Sequence, residues 1–342
     1  MNIHHPLLAE EFAKIAALDL PYDDLAGKAV AVTGATGLVG SYLLRALDAV
    51  NRAHGLKLRL IALCRKPEAA KDRLSGMENL SILSYDACAP LNANFRADFT
   101  VHAASNAHPL AFSSDPVGTM QANLLGTMQL LEHVRATGGR LLFLSTGEIY
   151  GENPELASFD EHSFGSIDPM RFRSCYPESK RAAETLCASY AQQYGVDALV
   201  ARLTYTYGPT ITKESSRADA QFLRCALEGR DIVLKSPGTQ IRSYCYAADT
   251  VSALITLLLK GATGEAYNVA NPTCSPSIRE YAGTLAGLAG VQLMFDLPPE
   301  SERAGYSAVT RAVLNPEKLM NLGWHAAYDL REGLMHTLAI SC

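Results

Sequence analysis

No Cys-x-x-Cys pair occurs in this sequence, and no group of histidines and cysteines stands at the spacing a zinc ion needs. The eight cysteines (Cys64, Cys88, Cys175, Cys187, Cys225, Cys245, Cys274 and Cys342) are scattered, which fits free thiols in a reducing cytoplasm. His4, His5, His108 and His162 have no metal spacing either and read as surface or loop residues, so no metal is expected. A basic stripe is also missing. With 30 Lys and Arg against 35 Asp and Glu, the net charge of −5 gives no electrostatic reason to expect nucleic acid or a membrane surface. The longest late apolar run, Val251 to Leu259, falls well short of the roughly 20 residues that cross a bilayer. The first residues lack the charged-then-apolar order of a signal peptide. Instead Leu7, Leu8, Phe12, Ile15, Ala16 and Leu18 trace an amphipathic helix, expected to dock on the core or on a partner subunit. These absences predict a soluble cytoplasmic protein.

What remains is globular in composition, 48% apolar and 19% charged, and longer than one small domain, so a large core with a subsidiary lobe is expected. Strand-like runs at Ala29–Thr33, Leu58–Cys64, Ser81–Tyr85, Phe99–Ala103, Arg140–Ser145 and Ala198–Leu203 alternate with helical stretches. That alternation predicts an α/β fold with a right-handed, doubly wound parallel sheet. Ligands in such sheets lie beyond the carboxyl ends of the strands, where Thr33, Cys64, His102 and Ser145 fall. The segment from Tyr205 to about Gly238, rich in polar and turn residues, leaves the sheet, as does the tail after about Pro272.

Two motifs carry chemistry. In AVAVTGATGLVGSYLLRAL a buried-type strand runs into Gly34, Gly37 and Gly40 and then into an apolar-periodic helix. A tight turn needs a residue without Cβ, and backbone must approach a pyrophosphate closely. The helix N-terminus then offers unpaired N–H groups to the phosphates. In SCYPESKRAAETL, Tyr176 and Lys180 are four residues apart, one face of a helix. An ammonium beside a phenol lowers its pKa from about 10, giving a base for a sugar or alcohol hydroxyl while a nicotinamide takes the hydride. An exposed Tyr/Lys pair without a role has the same signature; the glycine turn in the same half-chain is what separates the two. Cys175, beside Tyr176, reads as a packing residue at a helix start rather than a nucleophile.

Taken together, TGATGLVG, HAASNAHP, SDPVGTMQANLLGT, STGEIYG, YPESK, ARLTYTYGP, IRSYCYAAD, YNVANP and LGWHAAYDLREGL stand in one order from Gly27 onward. In this the chain resembles the extended short-chain dehydrogenase/reductases, the sugar-nucleotide epimerases and dehydratases. The resemblance implies a Rossmann-like domain (27–204 plus about 239–271) and a smaller C-terminal substrate-binding lobe (about 205–238 plus 272–342), after an N-terminal helical extension (1–26). It implies a dinucleotide held by Gly34, Thr36, Gly37, Leu38, Val39 and Gly40, with Arg65, Asp86 and Ala87 on the adenine side. Ala103, Ala104, Ser105, Asn123, Ser145, Tyr176 and Lys180 would line the rest of that groove. The catalytic set would be Thr146, Glu148, Tyr176 and Lys180. Tyr176 would take the proton of a sugar 4-hydroxyl, Lys180 would lower the tyrosine pKa and hold the ribose, and Thr146 would orient. Substrate contacts would come from Ser105, Thr146, Gly147, Glu148, Tyr205, Arg242 and Arg311, with Arg242 gripping a diphosphate. A homodimer through the YxxxK helix and the Asp115–Leu131 helix region is the family default.

The departures narrow the reaction. Glu148 lies two residues past Thr146, so on an extended segment both side chains share one face, and a carboxylate there suits C5 chemistry or decarboxylation. Gly147 has no proton to donate, which disfavours a 4,6-dehydratase, and the family's decarboxylases usually carry serine there. Tyr205 replaces the usual asparagine of RxxNxYGP. Cys64, Arg65 and Lys66 stand where NAD enzymes carry an acid, which leaves NAD and NADP both open. The expected activity is a nucleoside-diphosphate-sugar transformation through a 4-keto intermediate, net epimerisation first, decarboxylation or dehydration next. An NADPH-dependent 4-ketoreductase and a non-catalytic nucleotide-binding protein are the alternatives.

Overall fold

The computed structural model of the protein describes residues 3–77, 79–91, 94–212, 214–297 and 310–341. A seven-stranded parallel sheet forms the centre. Its strands are β1 (Ala29–Thr33), β2 (Arg59–Cys64), β3 (Leu80–Ser84), β4 (Phe99–His102), β5 (Arg140–Thr146), β6 (Asp197–Leu203) and β11 (Ala266–Val269), in the order β11-β6-β5-β4-β1-β2-β3. Every strand-like run read from the sequence falls within one residue of a strand at each end. The reason is local: β1 is buried at all five positions, so only an unbroken apolar run fits there.

Helices cover both faces. They are α1 (Pro6–Ala16), α2 (Leu38–His54), α3 (Pro67–Arg73), α4 (Pro109–Ser114), α5 (Pro116–Thr137), α6 (Cys175–Tyr194), α7 (Ala218–Leu227), α8 (Ala247–Lys260), α9 (Ile278–Ala289), α10 (Glu317–Met320) and α11 (Leu330–Ser341). Within the Rossmann half, β1, β4 and β5 meet at the centre of the sheet, and strand order reverses between β1 and β4. The crevice at such a reversal is where dinucleotides sit in doubly wound sheets. Three two-stranded pairings lie outside the main sheet: β7 (Tyr205–Tyr207) with β10 (Tyr244–Tyr246), β8 (Ile232–Leu234) with β12 (Leu293–Phe295), and β9 (Ile241–Arg242) with β13 (Arg311–Ala312). No described helix is long and apolar enough to cross a membrane.

The N-terminal helix is packed on the core. Leu8, Ile15 and Ala16 are buried, and α1 lies against α2, α8 and α11. Its Glu11 is buried too, an unusual place for a carboxylate. Glu11 accepts from the Tyr42 phenol, from the Tyr246 phenol at 2.7 Å and from His336 Nδ1 at 2.7 Å. One side chain thus joins α1, α2, α11 and the end of β10. Apolar periodicity predicted the helix; nothing in it marked the buried acid.

Candidate active site

The glycine turn connects β1 to α2, and its geometry explains each glycine. Gly34 has φ +63°, a left-handed backbone, and an added Cβ would lie 2.7 Å from the carbonyl oxygen of Ala103. At Gly40 an added Cβ would come within 2.4 Å of the Gly34 oxygen, so helix and turn touch backbone to backbone. Gly37 is the N-cap of α2 and offers no side chain to its first N–H groups. A bare helix N-terminus behind a close-packed turn is what a dinucleotide pyrophosphate requires, so the residues present fit that group.

The floor of the groove is tied across β1 and β4. Thr33 Oγ1 accepts the Ala104 N–H at 3.0 Å and contacts His102 Nδ1 at 2.8 Å. His102 is fully buried, and burial holds its pKa down to about 3, so it is neutral. Ser105 Oγ donates to Asn123 Oδ1 at 2.8 Å, and Asn123 Nδ2 donates to Ser179 Oγ at 2.9 Å. Asn123 therefore spends its amide joining α5 to α6 and to the loop after β4. Ser145 donates its hydroxyl to Glu184, which is paired with Arg202 at 2.8 Å. Asp86 accepts the Cys88 N–H at 3.0 Å just beyond β3, and Ala87 packs under Gly126 of α5.

Tyr176 and Lys180 stand on consecutive turns of α6, both buried. Tyr176 stacks on Phe112, with ring centroids 4.6 Å apart and planes at 24°. Burial, then the Glu148 carboxylate, pushes its phenol pKa up; a hydrogen bond with Thr146 and the guanidinium groups of Arg173 and Arg217 pull it down. Lys180 is anchored on β5. Its ammonium donates to the Leu144 carbonyl at 2.7 Å and lies over the Phe143 ring, and burial lowers its pKa to about 7. A four-residue spacing fixes a shared helix face but not the direction of a long, flexible stem, and the carbonyl at the end of β5 captures it. Cys175 is a packing residue, as its sequence suggested: it is buried with Phe112 and Tyr176, and burial raises its thiol pKa.

The strand reading of Glu148 requires correction. The strand ends at Thr146, and Gly147–Tyr150 form a 3-10 turn, so strand alternation does not align Glu148 with Thr146. Instead the Glu148 N–H donates to Thr146 Oγ1 at 3.2 Å, closing the turn. The carboxylate still acts on the Tyr176 phenol, and Arg173 Nη2 pairs with it at 2.7 Å. Arg173 in turn lies over the Phe112 ring, 4.5 Å from its centroid. Phe112 is thus a shared platform for the Tyr176 phenol and the Arg173 guanidinium. Gly147 packs against Leu314: an added Cβ would stand 3.0 Å from Leu314 Cδ1, so a larger residue there needs Leu314 to shift.

Outside the main sheet, Arg242 Nη1 donates to the Tyr205 hydroxyl at 3.0 Å, and burial raises that phenol's pKa. β13 pairs with β9 so that Ala312 faces Arg242, which sets Arg311 beside the same edge. Arg311 is exposed and reaches the Ala157 carbonyl at 3.4 Å. Sequence reasoning missed Arg173, Arg217 and Phe112. Arg173 was visible in principle, one turn before Tyr176. Arg217, paired with Asp219 and donating to the Thr206 carbonyl at 2.6 Å, lies in a polar segment that carries no periodic signal. Among the described residues no group of acids, histidines and cysteines is placed to hold a metal ion.

Known proteins agree with this architecture. UDP-glucuronic acid decarboxylase 5 of Arabidopsis thaliana is 32% identical over 311 residues, covering 89% of this chain and 86% of its own length. UDP-glucuronic acid decarboxylase 1 of Danio rerio is 31% identical over 314 residues, covering 91% of this chain and 72% of its own. Among solved structures, the UDP-glucose 4-epimerase of Thermus thermophilus in complex with NAD superposes with a TM-score of 0.77 at 28% identity, over 91% of this chain and 97% of that one. Residues 30–270 match the NAD dependent epimerase/dehydratase family, and the chain belongs to that family.

Proposed function

We propose that this protein is an NAD(P)-dependent enzyme that decarboxylates a nucleoside-diphosphate hexuronate, in the manner of its UDP-glucuronic acid decarboxylase relatives. The observation that carries this reading is the Glu148–Arg173 pair held beside Tyr176 on the Phe112 platform. A guanidinium there offers a planar fork to a carboxylate on the sugar, and a carboxylate beside it serves a carbon one bond from the oxidised centre. The bound dinucleotide supplies hydride acceptance and return at C4 of the sugar.

The protein's own residues do the rest. Tyr176 takes the 4-hydroxyl proton; Thr146, Arg173 and Arg217 favour its charged form, while burial and Glu148 outweigh them and hold the phenol above its usual value. With C4 a ketone, the C5 carboxylate is β to a carbonyl. The C5–carboxylate bond breaks, carbon dioxide leaves, and the electron pair passes to the oxygen on C4, where Tyr176 and Thr146 hold it as an enolate. Glu148 then passes a solvent proton to C5. Tyr176 then returns its proton to the oxygen on C4. Arg242 with Tyr205, and Arg311 on the adjoining strand, would hold the diphosphate side. Net epimerisation, the first expectation from sequence, uses the same oxidation but returns hydride without loss of carbon dioxide.

One NMR experiment separates the outcomes. UDP-glucuronate in deuterated buffer is expected to yield a UDP-pentose with deuterium at C5 and one carbon dioxide per turnover. A product that keeps its carboxylate with inverted C4 or C5 would establish epimerisation, and stoichiometric NADPH consumption with a 4-keto sugar would establish reduction.

The reading includes a two-fold dimer. Val117, Met120, Leu125 and Met128 form an exposed apolar stripe on α5, beside the small exposed residues Ala182, Thr185 and Ala188 of α6. Small residues on one helix let a copy of the other approach closely. Met120→Glu with Met128→Glu is expected to halve the mass in light scattering and leave the circular dichroism spectrum intact. An unchanged mass removes this face from the interface.

A further inference from the structure

β2 and β3 lie side by side, with Cys64 opposite Ser84, and the Ala35 N–H of the glycine turn reaches the Leu63 carbonyl at 3.4 Å. The residues just past β2 therefore border the turn on the side away from β5. In a βαβ dinucleotide site that position meets the adenosine ribose. An acid there bonds both ribose hydroxyls and repels a 2′-phosphate, whereas a nearby arginine accommodates it.

Here the position is held by Cys64, buried, with its thiol kept neutral. Arg65 and Lys66 follow it, both exposed, and neither makes an ion pair within the described residues. The acids around them are committed elsewhere. Glu68 pairs with Lys71 at 2.8 Å, Asp86 accepts the Cys88 N–H, and Asp115 accepts the Gly118 N–H at 2.9 Å as the cap of α5. A rigid guanidinium fork and an ammonium thus stand side by side at the ribose position, with no carboxylate on the strand end to oppose an anion.

We propose that this groove selects the 2′-phosphorylated dinucleotide, NADP, with Arg65 bonding the phosphate through its fork and Lys66 adding a point charge. The inference rests on the dinucleotide reading of the glycine groove above and is independent of which sugar is processed.

The test is binding rather than turnover. The full chain, freed of any co-purified dinucleotide, is titrated calorimetrically with NADP⁺ and with NAD⁺, and the dinucleotide released from the untreated protein is identified by mass. NADP⁺ is expected to bind at least about tenfold more tightly at moderate salt, with the advantage shrinking as salt rises, because exposed charges are screened. Arg65→Ala with Lys66→Ala is expected to cost NADP⁺ about tenfold or more, and to cost NAD⁺ much less. Cys64→Asp is expected to reverse the preference. Equal or tighter NAD⁺ binding by the wild-type protein, or full NADP⁺ affinity in the double variant, overturns the proposal. A preference for NADP⁺ without decarboxylation of UDP-glucuronate would sink the proposed reaction and leave this site standing. Decarboxylation by an NAD-loaded protein that prefers NAD⁺ would do the opposite.

Discussion

Tyr176→Phe is expected to lower kcat on the hexuronate by about 10³-fold or more, the scale at which a positioned acid–base group contributes. Binding of UDP or of the nucleotide sugar should change by no more than about threefold. Both halves follow from the site. The phenol oxygen is the atom that Thr146, Arg173 and Arg217 stabilise in its charged form against the opposing push of burial and of Glu148. The ring itself only stacks on Phe112, a contact that phenylalanine keeps. Calorimetry with UDP alongside single-turnover product analysis would check this. Near-wild-type turnover in the variant would show that another group removes the 4-hydroxyl proton.

The second large effect lies far from the chemistry. Glu11→Ala is expected to destabilise the fold by about 3–5 kcal/mol, because it removes the shared acceptor of a buried polar cluster. Two phenols and His336 would be left facing a cavity. Burial and the neighbouring Glu11 raise the pKa values of both Tyr42 and Tyr246, so the two phenols stay protonated as donors and cannot ionise to replace the missing acceptor. Glu11→Gln is expected to cost less, since its carbonyl oxygen still accepts, though its NH₂ group meets donors. Urea unfolding would measure both. A loss below about 1 kcal/mol for Glu11→Ala would mean that α1 contributes little beyond its apolar contacts.

Much of the architecture was legible because its inner strands are buried on both faces. Such strands need continuous apolar runs, and these end where the groove begins, at Thr33, Cys64, His102 and close to Ser145. The glycine turn was legible for a related reason, since Gly34 and Gly40 sit against backbone that excludes any Cβ. Orientation was less accessible. The spacing of Tyr176 and Lys180 placed both on α6, yet not the turn of the ammonium toward Leu144. That choice is set by a carbonyl from another element. Likewise, Glu148 is placed by a 3-10 turn closed by Thr146, which no alternation rule anticipates. Arg217 converges on Tyr176 from a segment that carries no periodicity, and its arrival, unlike that of the sequence neighbour Arg173, depends on tertiary packing alone.

The Glu11 cluster also bears on how the chain is made. Its carboxylate finds one phenol early, at Tyr42, but waits for Tyr246 and then His336, which is 325 positions further on. While the polypeptide emerges from the ribosome, α1 can rest on α2, but the acid lacks its full set of donors until synthesis is nearly complete. Closure of this clasp is therefore a late event in biogenesis, and nascent chains stalled before α11 should expose Glu11 to solvent and to proteases.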